Sequence, residues 1–132
     1  MKFNKNSVYT VIRNAVVSLN GDAFVSGTYV PVSPKFPAVM AQRIGFTQIP
    51  SSTSLLHNDC GYRDTWECQI YSNKKVGSAE EAYAIFDTIN SAMQGINFIL
   101  DSCGQMNNVD ASVYRLVARW HRVTGSGDEM PK

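Results

Sequence analysis

The strongest constraint in this sequence is the stretch from Tyr62 to Gly95, where an alternating pattern gives way to a helical one within a few residues. From Tyr62 to Tyr71, Trp66, Cys68 and Ile70 fall on one side and Arg63, Thr65, Glu67 and Gln69 on the other, the alternation of a half-buried strand. The polar run Tyr71-Ser72-Asn73-Lys74-Lys75, followed by Gly77, then breaks the chain. Ser78 and Glu81 stand at the spacing of a capping box, in which a hydroxyl and a carboxylate satisfy the first free amides of a helix. Behind them Ala79, Ala82, Ile85, Phe86, Ile89, Ala92 and Met93 form one apolar stripe, closed by Gly95. Strand, turn and helix in so short a stretch require a mixed domain in which helix covers sheet.

The other segments extend this frame. Val8, Val11, Ile12, Ala15, Val16 and Leu19 recur at helical spacing and predict a helix over Asn6 to Leu19, capped by Asn4 or Asn6 and ended by Gly21. Pro31, Pro34 and Pro37 forbid a helix between Phe24 and Pro37, which reads as an extended connector. A short strand is expected over Ala38 to Ile44, ended by Gly45, and a long polar loop from Thr47 to Gly61. Ile96, Phe98 and Leu100 alternate with Asn97 and Asp101, giving a third strand and then a turn from Asp101 to Asp110. In the last strand, Val113 to Arg122, Tyr114, Leu116, Ala118 and Trp120 point inward and Arg115, Val117, Arg119 and His121 outward. The expected architecture is one α+β domain over residues 1–123, a mostly antiparallel four-stranded sheet with two helices packed on one face, followed by a flexible polar tail over 124–132.

A chain of 132 residues can build one core that buries roughly two-thirds of its unfolded surface without metals or disulfides. Twelve Lys and Arg against 11 Asp and Glu leave a net charge of +1, so no polyelectrolyte partner is implied and no sequence-specific nucleic acid is expected. No apolar run reaches the length of a membrane span, and no membrane partner is expected. Cys60, Cys68 and Cys103 make an odd count behind an N-terminus with no apolar leader, which favours reduced thiols in a cytoplasmic setting.

Chemistry finds little purchase. His57 stands beside Asp59 and Cys60, but neighbours in a loop rarely hold the geometry of a thiol–imidazole pair. His121 shares a strand face with Arg119, whose charge disfavours the imidazolium, and reads as a surface histidine. The cysteines show no C-x-x-C pair, the Asp101 to Asp110 loop lacks the alternating oxygen ligands of a calcium site, and the glycines fit no phosphate-binding fingerprint. Cys68, between Trp66 and Ile70, reads as core. No catalytic residue, cofactor or metal is therefore expected. Interaction surface remains. Arg115 and Arg119 on one outward face, with Arg63, Lys74 and Lys75, are candidates to meet an acidic partner; the competing reading pairs Arg115 or Arg119 with Glu67 across the strands. The loop carrying His57 and Asp59 and the C-terminal tail are the other candidate contacts.

Tyr29-Val30-Pro31 leading to Lys35-Phe36-Pro37, Ile70 to Lys75 with Gly77, Glu80-Glu81-Ala82, and Asp110 to Arg115 with Arg119 together form a pattern over nearly the whole chain. It resembles the tail-terminator, or tail-completion, proteins of long non-contractile-tailed bacteriophages of Gram-positive hosts. The sequence departs from the family pattern at Gly95-Ile96-Asn97-Phe98, where a Gly-Phe pair is expected, and at Trp120, where tyrosine is usual. The resemblance implies a structural virion protein of the neck, assembled in the bacterial cytoplasm. It implies a homo-oligomeric ring, a hexamer in this family, that caps the tail tube protein, ends its polymerisation and offers a surface to the head–tail connector protein. Another neck component, for head completion or head–tail joining, fits the same features. A small Cys/His enzyme and a host-directed binding domain are the readings from other classes.

Overall fold

The computed structural model describes residues 5–30, 33–49, 61–108 and 110–124. Its elements are α1 (Lys5–Leu19), β1 (Phe24–Ser26), β2 (Ala38–Ile49), β3 (Gly61–Ser72), α2 (Ser78–Gly95), β4 (Ile99–Met106) and β5 (Tyr114–Thr124). The strands form one sheet in the order β1-β2-β3-β5-β4, antiparallel except where β1 runs parallel to β2. The sheet is thus five-stranded and mixed, not four-stranded. The segment from Phe24 to Pro37, expected as a connector, contributes the extra strand because Phe24 to Ser26 pair with Ala38 to Met40 before the first proline is reached.

Both helices lie on one face of this sheet. Val8, Ile12 and Val16 of α1, and Ala82, Ile85, Phe86, Ile89 and Met93 of α2, are buried against Val39, Ala41, Trp66, Cys68, Ile70, Leu116, Ala118 and Trp120. Each large apolar side chain withdrawn from water in this way contributes roughly 1.5–3 kcal/mol. Leu19, the last residue of α1 and expected on the buried stripe, is exposed. A smaller cluster sits on the opposite face, where Ala38, Met40 and Tyr71 pack with Phe24, Val30, Phe36 and Val113.

Two bulges explain where the strand boundaries differ from expectation. β2 does not stop at Gly45. Its register against β3 shifts between Arg43 and Gly45, so the unpaired Ile44 is pushed into solvent and both Arg43 and Phe46 face the helix side. That switch of phase hid the two faces of this strand in the sequence. β4 starts at Ile99, not Ile96, and runs on to Met106 through the expected turn, with a second shift between Leu100 and Ser102. Ile96 and Asn97 instead close α2, Asn97 at a φ of 68°, and Phe98 enters the core. The last strand is two residues longer than expected at its C-terminal end, reaching Thr124. The 50–60 part of the polar loop, with His57, Asp59 and Cys60, lies outside the described residues, as do Asn4, Pro31 and the tail beyond Thr124.

The start of α2 is built differently from a capping box. Gly77 is the N-cap, in the left-handed region at φ 81°, and no side chain caps the helix. Glu81 turns back to the strand instead: its carboxylate accepts from the Ser72 hydroxyl at 2.7 Å and meets the Lys74 ammonium at 3.3 Å. Ser78 and Glu81 have the spacing of a capping box, but the glutamate is taken by Ser72, at the end of β3.

Candidate partner-binding face

Alternation along β3 and β5 sends Arg63, Glu67, Gln69, Tyr71, Arg115, Val117, Arg119 and His121 to the sheet face that the helices leave uncovered. Antiparallel register then sets Glu67 opposite Arg119, Gln69 opposite Val117, and Tyr71 opposite Arg115. On that grid the side chains form a continuous ladder. Arg119 Nε donates to Glu67 Oε2 at 2.7 Å. Gln69 Nε2 donates to Glu67 Oε1 at 2.8 Å. The amide oxygen of Gln69 accepts from the Tyr71 hydroxyl at 2.6 Å and from Arg115 Nη2 at 3.0 Å. A further bond from Arg115 Nη1 to the Asn107 carbonyl, at 3.2 Å, ties the ladder to the end of β4. Burial raises the Tyr71 phenol above its usual range, against the opposing pull of Arg115, which keeps it a donor at neutral pH.

The bulge in β4 adds a second unit to this face. The residue it leaves unpaired is Asp101, whose carboxylate accepts from His121 Nδ1 at 2.5 Å. His121 is therefore a paired and largely covered histidine, its side chain 17% exposed, and not the open surface residue its neighbour Arg119 suggested.

The candidate residues separate accordingly. Arg115 and Arg119 share the open face, and the competing pairing with Glu67 is the one Arg119 makes. Arg115 is held by Gln69, a partner the sequence signals only through its i+2 spacing from Glu67. Arg63 lies on the same face, four residues along β3 from Glu67 and so about 13 Å away. Lys74 and Lys75 are not part of it: Lys74 pairs with Glu81 on the helix side, and Lys75 is in the β3–α2 connection.

The helix side of the sheet carries its own charged constellation. Arg43 clamps Asp64 with two bonds, Nε to Oδ1 at 2.9 Å and Nη2 to Oδ2 at 3.1 Å. The guanidinium also lies 4.7 Å from the centre of the Phe46 ring and 5.7 Å from that of Trp66. Burial raises the Asp64 carboxyl above its ordinary value, and the hydrogen bonds and charge of Arg43, with lesser help from Trp66 and Arg122, only partly offset it. Sequence reading left this pair unseen because Arg43 sits just before the bulge.

Both thiols among the described residues, Cys68 and Cys103, are held toward the protonated form. Complete burial drives the Cys68 thiol far above the ordinary range, and partial burial, with the charge of Asp87 beside it, raises Cys103. No three His, Cys, Asp or Glu side chains converge among the described residues. No helix among them is long and apolar enough to cross a membrane.

The class this defines is a two-layer α+β domain, two helices on one face of a five-stranded mixed sheet. No protein-family model matches the chain, and no curated protein matches it. Solved structures do share its fold. One is a chain in the virion of a native gene transfer agent particle, similar at a TM-score of 0.60 and 11% identity over 91% of this chain and 92% of that one.

Proposed function

We propose that this chain is a structural component of a phage-like virion, and within it a tail terminator: a ring that caps the tail tube, ends its growth and presents a surface to the head–tail connector. The observation that carries this reading is the fold match to a virion chain, which takes in nearly the whole of both chains. The sequence resemblance to tail-completion proteins points the same way from independent features. A ring part of this kind needs surfaces and no turnover, and the proposal assigns the protein no catalysis, cofactor or metal. Its partners are further copies of itself, the tail tube protein and the connector, met during assembly in the bacterial cytoplasm. The open face with Arg115 and Arg119 is the surface assigned to one of the two axial partners, because its side chains are already fixed by mutual hydrogen bonds and lose little freedom on docking.

The test is electron microscopy of particles assembled without this gene. Overlong tails without heads, beside filled heads, are the expected result. Tails of normal length left unattached would reassign the protein to head–tail joining, and normal infectious particles would refute the virion reading.

A further inference from the structure

The helix layer is electrically polarised across the sheet. From Lys5 to Leu19, α1 contains Lys5 and Arg13 and no carboxylate; from Ser78 to Gly95, α2 contains Glu80, Glu81 and Asp87 and no cation. Their positions turn this into a difference between two flanks. α1 packs over β2 and against β1, where the Tyr9 hydroxyl reaches the Val25 carbonyl, and α2 packs over β3, β5 and β4. Glu81 is engaged by Ser72 and Lys74, which leaves Glu80 and Asp87 as the exposed acids of α2.

Each flank also has a shape. On the basic side α1 and β1 enclose a groove of about 310 Å³ lined by Arg13, Val17, Phe24, Val25 and Lys35, with the single acid Asp22 exposed on the adjoining turn. On the acidic side Tyr83 and Asp87 stand in the stripe of α2 that faces β4 and β5: Asp87 is close enough to Cys103 to raise its pKa, and Asn90, further along, accepts from Trp120 Nε1 at 3.0 Å. Tyr83 is 41% exposed. Below it β4 is the outermost strand, eight residues long, with Asp101 its one charge and neither lysine nor proline to guard its unpaired side.

We infer that the acidic flank of one copy, with Tyr83, Asp87 and the edge of β4, docks on the basic groove of the next copy, between Arg13, Val17 and Lys35. Two different surfaces meet, so the contact is head-to-tail and closes into a ring when its rotation allows. The tyrosine is the aromatic anchor, and the opposed charges select this pairing over the two like-with-like ones. The inference rests on the ring proposed above and names the surfaces that build it.

The test is native mass spectrometry of the full chain with two charge reversals, Asp87→Arg and Arg13→Glu. Both positions are exposed, and circular dichroism melts check that each variant folds. Wild type is expected to assemble, and each variant alone to lose affinity by about ten-fold or more, because like charges then face each other. An equimolar mixture of the two variants is expected to reassemble, since alternating subunits restore an opposite pair at every contact. Wild type that stays monomeric at about 100 µM, where a contact with a Kd of about 1 µM would be nearly complete, would overturn the inference. So would single variants that assemble as wild type does, or a mixture that does not recover. The deletion particles judge the virion reading separately: headless tails with a monomeric chain would remove only the flank contact, and normal particles with an intact ring would remove only the virion role.

Discussion

The Arg43–Asp64 pair offers a quantitative test of how the helix-side face is held together. The Asp64 side chain is fully buried and that of Arg43 is 15% exposed, so neither ion recovers its hydration when the other is removed. Asp64→Ala strands a guanidinium against Phe46 and Trp66, with Arg122 near by, and is expected to cost about 3 kcal/mol, the low end for a broken buried pair because Arg43 keeps some solvent. Arg43→Met costs less, about 2 kcal/mol, since the stranded carboxyl neutralises itself by taking up a proton. The double variant Arg43→Met/Asp64→Leu removes both charges and is expected to lie within about 1 kcal/mol of wild type. Urea unfolding at neutral pH, read as midpoint shifts at constant slope, measures all three. Strictly additive losses, or singles each costing under about 1 kcal/mol, would refute the claim that the pair is desolvated. The pH dependence supplies an independent sign. A carboxyl whose folded pKa is raised holds its proton more firmly folded than unfolded. Its contribution to stability is therefore greatest below 3.8 and is lost as pH rises from there through the folded value. Relative to Asp64→Asn, wild type is expected to lose stability across that window and to run level above it.

The other predictions address the open face, the helix start and the thiols. Arg119→Glu sets a carboxylate opposite Glu67 on a half-exposed site, so the melting temperature is expected to fall by a few degrees, for about 1 kcal/mol, while assembly into particles falls far more; an insoluble variant would show that this face is buried in the free protein. Gly77→Ala forces a side chain onto a left-handed residue, with Glu80 Oε2 at 3.0 Å from the new methyl carbon, and is expected to cost about 1–2 kcal/mol in urea melts, with no loss if the turn relaxes. Cys68 is expected to resist iodoacetamide at pH 8 in the folded protein and react only on unfolding, as peptide mass mapping reports; early labelling would mean that the sheet opens beneath α2. Chelators and reductants are expected to leave the melting temperature unchanged, and a large drop with either would reveal a metal or a disulfide.

Where one physical pattern governs a segment, the sequence already declares it. β3 alternates without interruption from Tyr62 to Ser72, and the buried set Trp66, Cys68 and Ile70 follows from that alternation alone. The stripe of α2 and most of that of α1 were equally plain. Legibility failed where a tertiary contact overrode local pattern. β1 is three residues long and exists only because β2 pairs with it. The bulges at Ile44 and Asp101 each insert one residue, which reverses the alternation on which strand reading depends. Ser78 and Glu81 have the spacing of a cap, yet a serine at the end of a strand takes the glutamate, a competition decided by packing. In the open face, Arg115 and Arg119 were legible as outward cations because β5 alternates. Their partners required the register of β3 against β5, which no single strand encodes.

That register bears on what the open face is for. A patch of free cations would attract any polyanion, but here the Arg119 charge is met by Glu67, the Arg115 guanidinium spans Gln69 and Asn107, and His121 is held by Asp101. Such a surface has little long-range pull and strong positional demand, because a partner must match hydrogen-bonding groups whose places are already set. The helix layer divides its charge differently, with cations on α1 and carboxylates on α2. If the proposed ring forms, this is the division it requires: electrostatic attraction between neighbouring copies at the sides, and geometric selectivity on the face that meets the axial partner.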